Sequence, residues 1–297
     1  MSHAKFKLNA DAAPQPLAPA ALGSLTVQPL TDEAETLSFL TGDSIPSAFM
    51  TTLIRDNGLT SPLNRGTFYG CRDSAGQLEG VAIVGHATLF EARTEAALRS
   101  LAVLAQNDPA AHVVMGERQT VDVVMNHYAA TGQSPRLICR ELLFEQRRLV
   151  EAHEAVPGLR QATVDDLELV VRVHAAMAFE ESGVNPLERD PEGFRQRTAR
   201  RLERGRVWAW IEGGRLIFKA DMVAETPGVA YLEGIYVCPE ERGKGYGLRC
   251  MSQLGRSLLR RTESVCLLVN EQNHQSREFF RRADYKLCAH YDTIYLR

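Results

Sequence analysis

Three glycines in six residues, Arg242-Gly243-Lys244-Gly245-Tyr246-Gly247, separate a β-like apolar run at 230–237 from a helix-like run that begins at Leu248. Losing three Cβ atoms where a strand turns into a helix lets the backbone curl tightly and lets a ligand approach its N–H groups. Those groups belong to the unpaired set at a helix N-terminus, where the macrodipole favours negative charge. A strand, a glycine loop and a helix in that order form a phosphate cradle.

Three other motifs share pieces of the hexapeptide and fail on detail. A Walker loop needs Ser or Thr after Gly-Lys, and here Gly245 follows Lys244. The dinucleotide fingerprint G-x-G-x-x-G fails because the glycines fall at 243, 245 and 247, so the third comes one residue early. An RNA-recognition strand can open as residues 244–247 do. Leu248 and Met251 stand where its aromatics belong, however, and the segment has a helical period.

The pattern that fits is Arg-x-x-Gly-x-Gly preceded by Val237-Cys238-Pro239. It resembles the acetyl-coenzyme A signature of the GNAT (general-control-related N-acetyltransferase) superfamily. A second segment, Asn273-His274-Gln275-Ser276-Arg277-Glu278-Phe279-Phe280, resembles that family's Asn-x-x-Ala/Ser-x-x-Phe/Leu-Tyr helix. The family's usual Gly-Phe after this helix is Asp284-Tyr285 here, a mild departure because Asp tolerates a left-handed cap. The resemblance covers residues 157–297. It implies an α+β (mixed α/β) fold with a central mixed, mostly antiparallel sheet flanked by helices, and acetyl-CoA as cosubstrate. It also implies the cofactor-binding set. The strand contributes Ile235, Tyr236 and Val237. The backbone of Arg242, Gly243, Lys244, Gly245, Tyr246, Gly247 and Leu248 surrounds the pyrophosphate. Asn270, Asn273, Ser276, Phe279 and Phe280 follow along the pantetheine arm.

Local patterns agree with that layout. Residues 159–162 read as a strand, and Thr163 is positioned to cap a helix whose first turn carries Asp165 and Asp166. Residues 207–211 and 216–222 read as two strands about a tight turn at Glu212-Gly213-Gly214. Leu248, Met251, Leu254 and Leu258 form one helical apolar face, and residues 265–269 form a buried strand.

Acetyl transfer to a primary amine needs a neutral nucleophile, a polarised thioester carbonyl and a protonated leaving thiol. Glu233 is the candidate base, as the one group charged at neutral pH in the run 230–237. Tyr231-Leu232-Glu233 resembles polyamine-type family members, in which a Glu here acts through water. Family geometry gives the oxyanion contact to the N–H of Tyr236 or Val237. Many members place a proton-donating Tyr where this chain has Phe280, so Tyr285, Tyr236 or water must serve, or the thiolate leaves unprotonated. Loss of one acid slows a reaction by roughly 10²–10⁴-fold. A non-catalytic acyl-CoA-binding module and a protein or peptide lysine acetyltransferase stay open as alternatives. Residues 175–184 and the strands around Trp208 are expected to line the acceptor pocket, and Trp208 and Trp210 share one strand face.

The 297 residues allow two units. Residues 1–23, rich in Ala and Pro, read as a flexible tail. From Leu25 the order of elements echoes the second half. Strand at 25–30, hairpin at 67–72 and 78–84, short strand at 88–91, helix at 94–106, strand at 112–115, helix at 119–130 and strand at 136–144 follow in turn. We read 24–156 as a degenerate GNAT-like or accessory α/β domain in tandem with an acetyl-CoA-binding domain at 157–297. The boundary falls at 152–158, where Pro157 and Gly158 stand. No glycine loop occurs between Glu91 and Thr94. The first unit is therefore expected to bind no coenzyme and to shape the acceptor cleft, dimerise or brace its partner.

The remaining signals are quiet. A net charge of −3 gives no electrostatic case for nucleic acid. The six cysteines at 71, 139, 238, 250, 266 and 288 form no C-x-x-C, which suits free thiols in a reducing cytoplasm. Cys238 reads as a packing residue rather than a nucleophile. The eight histidines lack metal-ligand spacing, so no metal is expected. Neither a signal-peptide core nor a membrane-spanning run is present. The expected partners are a small-molecule amine or a peptide, with a homodimer as a further option.

Overall fold

A computed structural model describes residues 25–130, 132–149 and 154–296. The tail expected at 1–23 and part of the link expected at 152–158 lie outside them. In the first half, β1 (Thr26–Pro29) is followed by α1 (Glu33–Phe39), α2 (Ile45–Asn57), β2 (Gly66–Arg72), β3 (Leu78–Gly85) and β4 (Ala87–Ala92). These four strands form an antiparallel meander. Then come α3 (Glu95–Asn107), β5 (Val113–Glu117), α4 (Arg118–Ala130) and β6 (Leu137–Gln146), with β5 parallel to β4. Thr94 caps α3 by accepting from the Ala97 N–H at 3.2 Å, and the expected apolar stripe Leu98, Leu101, Ala102 and Ala105 is buried.

The second half repeats the order. It runs β7 (Leu159–Gln161), α5 (Leu167–Ser182), the short α6 (Pro186–Arg189), α7 (Pro191–Glu203), β8 (Val207–Glu212), β9 (Arg215–Glu225) and β10 (Val229–Val237). Then follow α8 (Tyr246–Leu258), β11 (Ser264–Asn270), α9 (His274–Arg282) and β12 (Lys286–Tyr295). Thr163 and Asp166 form a reciprocal capping box ahead of α5. Gly213 and Gly214 both have positive φ, 55° and 73°, which the two-residue hairpin between β8 and β9 requires. Asp284, with φ 63°, takes the left-handed position after α9.

The strands join one 12-stranded sheet in the order β1-β2-β3-β4-β5-β12-β6-β11-β10-β9-β8-β7. Apart from the β4–β5 and β10–β11 pairs, every neighbour is antiparallel. The order reads alike from both edges: five strands of one half, then the last strand of the other. β6 therefore lies beside β11, and β12 beside β5, so the halves exchange their closing strands. The exchange is built into the core. Leu142 and Phe144 of β6 pack with Leu232, Met251, Leu254 and Phe280, and Ile294 of β12 packs with Val121 and Val124 of α4.

Residue alternation sorts the helices. One face of the sheet carries α3, α4, α8 and α9, and the other carries α1, α2, α5 and α7. On that second face α2 crosses from its own half onto the other. Ile45 and Ala48 pack on Ala224, Val229 and Tyr231, while Asp56 pairs with Arg204 at 3.1 Å and Arg206 at 2.6 Å. All six cysteines are free, and Cys288 is the exposed one.

Candidate active site

After β10 the chain makes one 3₁₀ turn (Pro239–Glu241) and enters α8 through Gly243 and Gly245, at φ 79° and 81°. Gly245 is the N-cap of α8 and supplies no side-chain acceptor. A Cβ added at Gly243 or Gly245 would meet nothing within 4 Å, so the loop faces open space. The first-turn N–H groups of α8 are thus left without a cap on an open surface, which fits a diphosphate. The cations nearby hold the loop itself. The Arg242 Nε donates to the Val237 carbonyl at 3.1 Å, and Lys244 pairs with Glu241 at 2.8 Å, which also pairs with Arg215 at 2.9 Å. A phosphate grip therefore falls mainly on the backbone.

Gly247 plays a different part. A Cβ there would lie 3.0 Å from Phe279 and 3.1 Å from Val237, so its absence lets α8 close against β10 and α9. Ile235, Val237 and Phe279 are half-buried against the same core, and Leu248 is half-buried at the start of α8. Tyr246 sits edge-on to Trp210 at 5.0 Å. Trp208 and Trp210 both lie on this α8 side of the sheet. Asn270 and Asn273 are exposed and organise the turn into α9, accepting from the N–H groups of Gln272 and Ser276, each at 2.9 Å. Ser276 is half-buried.

Two of the expected residues are core. Phe280 is 5% exposed and packs on Phe144 and Tyr285, so its ring supports the sheet. Tyr285 is 2% exposed, with its hydroxyl buried beside Gln146 and Gly255 and its pKa driven up by burial. That placement sets the Tyr285 hydroxyl in the core rather than at a cleft surface.

Between the glycine loop and α9 the sheet opens. β10 pairs with β11 only from Val229 to Leu232, while β11 continues along β6 as far as Asn270 opposite Glu141. On its other edge β10 slips register against β9 between Glu233 and Tyr236, with Gly234 at φ 57°. This is a β-bulge, which bends the strand away from β11. Past the bulge, the Cys238 N–H donates to the Ile217 carbonyl at 2.8 Å. Antiparallel ladders alternate, so the Tyr236 N–H also points at β9 and the Val237 N–H points into the opening.

The opposite side of the opening is acidic. Glu233 accepts from the Tyr231 hydroxyl at 2.8 Å. Glu141, on β6 of the first half, accepts from Thr293 at 2.6 Å, and Glu181, at the exposed rim of α5, accepts from Tyr295 at 3.3 Å. Burial, and then repulsion from Glu181 and Glu233, push Glu141 up to about 7 despite its bond from Thr293. Burial and then Glu233 raise Glu181 as well. Tyr236 is half-buried on this same face beside Lys219. Burial and then Cys238 raise its pKa and keep its phenol protonated.

Under the bulge lies a buried ion pair. The Lys219 Nζ is 2.7 Å from Asp221 Oδ2, and the His174 Nε2 is 2.8 Å from the same oxygen. Lys219 is 0% and Asp221 4% exposed. Burial opposes the Asp221 charge, but Lys219 and His174 outweigh it and hold the carboxyl well below its ordinary range. Burial lowers His174, against the pull of Asp221.

Sequence reading reaches Glu181 only as part of 175–184, and Trp208 and Trp210, which it reads as core rather than acceptor cleft, do pack against the core on the α8 side. It missed Glu141, Thr293 and Tyr295, which arrive through the strand exchange. Lys219 and Asp221, two apart in the apolar run Leu216-Ile217-Phe218-Lys219-Ala220-Asp221-Met222, did leave a signal.

In the first half the corresponding opening between β4 and β5 holds a cavity of about 280 Å³, lined by Phe90, Glu91, Arg93, Thr94, Gly116 and Glu117 among others. There the strand runs into α3 through Arg93 and the capping Thr94, with no glycine loop. Among the described residues no group of His, Cys, Asp and Glu is arranged to hold a metal, and no helix is long and apolar enough to cross a membrane.

Residues 216–294 match the family model described as FR47-like protein. Solved structures share the fold across nearly the whole chain. A Drosophila protein is 14% identical over 91% of this chain and 98% of its own, at a TM-score of 0.68. A tandem GNAT protein from the clavulanic acid biosynthesis pathway is 13% identical over 92% and 99%, at 0.57. A GNAT-family acetyltransferase from Colwellia psychrerythraea is 12% identical over 92% and 100%, at 0.54. No curated protein matches by sequence.

Proposed function

We propose that this member of the GNAT superfamily transfers an acyl group, acetyl in the simplest case, from acyl-coenzyme A to a primary amine. The observation that carries the reading is the uncapped, open glycine entry to α8, set beside an opening between two parallel strands. Gly243, Gly245 and the first turn of α8 would hold the diphosphate. Val237, Ile235, Phe279 and the turn at Asn270 and Asn273 would follow the arm. The bound thioester supplies an activated acyl carbon. Glu233 takes a proton from the amine, whose nitrogen then bonds to the acyl carbon as the carbon–sulfur bond breaks. The Val237 N–H, which points into the opening, is the donor available to the acyl oxygen. The departing sulfur needs a proton, and Tyr236, held protonated on β10 itself, is the candidate donor.

We assign the coenzyme to the second of two GNAT-like halves, 24–156 and 157–297, because only there does a glycine loop enter the helix. The first half gives the site β6, and its α2 packs on Ala224, Val229 and Tyr231, toward the start of β10. Thiol release on incubation with acetyl-CoA and a panel of amines tests the reading. Turnover that depends on Glu233 supports it. Tight coenzyme binding without turnover on any amine moves the assignment to a non-catalytic acyl-CoA-binding module. That second reading draws on α9, which carries phenylalanine at both 279 and 280 and so offers no phenolic hydroxyl there.

A further inference from the structure

We infer that Lys219, Asp221 and His174 are positioning residues for the reaction: they prop the β-bulge at Gly234 and so hold Glu233 and Tyr236 on one face of the sheet. The inference rests on the acyl-transfer reading, which gives Glu233 and Tyr236 their proton transfers.

Glu233 and Tyr236 are three residues apart on β10, and in a regular strand residues at an odd spacing point to opposite faces. Here they share a face. Glu233 stands opposite Asp221 and Tyr236 opposite Lys219, so Gly234 and Ile235 together face Ala220. That two-against-one count is the bulge. Closing it by one residue would set Ile235 opposite Lys219 and turn the Tyr236 side chain to the α8 side, away from Glu233. It would also turn the Val237 N–H from the opening toward β9.

The ion pair fills the room under the bulge. A Cβ on Gly234 would lie 2.7 Å from both the Lys219 Nζ and the Asp221 Oδ2, so the bulge turns Gly234 toward the pair. The same Asp221 oxygen meets the His174 Nε2 of α5 at 2.8 Å and Arg201 of α7 at 4.0 Å. β9, α5 and α7 thus converge beneath one residue of β10. As a stabiliser of the fold the pair is poorly built. Its two charges are buried, and the Asp221 Oδ1 has no hydrogen-bond partner among the described residues. Apolar side chains of similar size serve a core as well as such a pair or better. A bulge forgoes ladder hydrogen bonds, and a strand free to relax would regain them. The pair opposes that relaxation by occupying the space beneath Gly234 and by tying β9 to α5.

The test removes the charges and keeps the shape. Lys219→Met alone leaves Asp221 buried and unanswered, which should lower the melting temperature. Adding Asp221→Asn removes that charge, keeps an oxygen for His174, and should bring melting back to within about 3 °C of the parent. Turnover should not return with it. In the double variant, thiol release from acetyl-CoA with an amine should show kcat lower by about 10–100-fold, because acid, base and oxyanion donor are misplaced, while calorimetry finds coenzyme affinity unchanged. Hydrogen exchange read by mass spectrometry should quicken at least about ten-fold over residues 233–237 and stay at the parent's rate in α8. A double variant with the parent's kcat overturns the inference. So does one that fails to fold or melts on the order of 10 °C below the parent, since the pair then supports the fold as a whole. Unchanged exchange over 233–237 overturns it whether or not any amine is turned over. If the parent turns over no amine and exchange still quickens, the acyl-transfer reading fails and the hold of the pair on the bulge stands.

Discussion

Gly234→Ala should destabilise the chain far more than a glycine change in the open loop, and through the ion pair beneath it. Two effects add. At φ 57° an alanine sits in the left-handed region, which costs about 1–2 kcal/mol for an L-residue. Its Cβ would also lie 2.7 Å from both Lys219 Nζ and Asp221 Oδ2, closer than real contacts allow. Both atoms are side-chain tips of a buried pair, so moving them apart forfeits part of the roughly 3–5 kcal/mol lost when such a pair is broken. The sum is about 2–5 kcal/mol. At about 2–4 °C per kcal/mol for chains of comparable size, the melting temperature should fall on the order of 5–15 °C. Gly243→Ala is the matched control: its φ is 79°, but the new Cβ meets nothing within 4 Å, which leaves only the conformational term. Urea denaturation followed by the fluorescence of Trp208 and Trp210, on the strand next to β9, measures both. If Gly234→Ala is no worse than Gly243→Ala, the ion pair does not support the bulge and the reasoning is refuted. Turnover should follow the same order for Glu233 chemistry, because the bulge sets where Glu233 and Val237 stand.

Glu233→Gln should lower turnover by about 10²–10⁴-fold while calorimetry finds coenzyme affinity unchanged, since the residue lies off the phosphate cradle. Gly245→Val should weaken coenzyme binding at least about ten-fold by filling the open side of the loop, read out by the same titration. The pH dependence follows from Glu141. Its folded pKa, about 7, stands above the ordinary 4.5, so its contribution to stability is fully present below 4.5 and is lost as pH rises through 7. Glu181, Glu233 and Asp292 face it and share its sign. Melting temperatures recorded from pH 5 to 8 should therefore fall less steeply in Glu141→Gln than in the parent; identical slopes would contradict the assignment. Residues 157–297 expressed alone should fail to form a cooperative fold, because they lose Leu142 and Phe144 of β6 from the core, each worth several kcal/mol. A sharp thermal transition of that fragment would show that the strand exchange is dispensable.

Much of the architecture was legible because it is local. The glycine turn at Gly213-Gly214, the cap at Thr163, the apolar stripe of α3 and the left-handed Asp284 each depend on residues a few positions apart. The open loop at Gly243 and Gly245 belongs to the same kind: a glycine's access to positive φ and its missing Cβ are both written in the sequence. Glu233, the proposed base, stands out in the sequence for a similar reason, as a lone carboxylate in an apolar strand. Other features were not. Whether Tyr285 faces a cleft or the core depends on what packs over it, and the answer came from Phe280, Gln146 and α8.

The hexapeptide by itself determined that a strand must turn into a helix around an open, donor-rich loop, because backbone freedom and unpaired amides are short-range facts. Only the tertiary structure decided which strands stand beside that loop's sheet. β6 and β12 are each an alternating apolar strand of similar length, and nothing within either states its neighbour. Their exchange is settled by how both halves close their cores together. That exchange carries Glu141 across from the first half and sets it opposite Asn270 of β11.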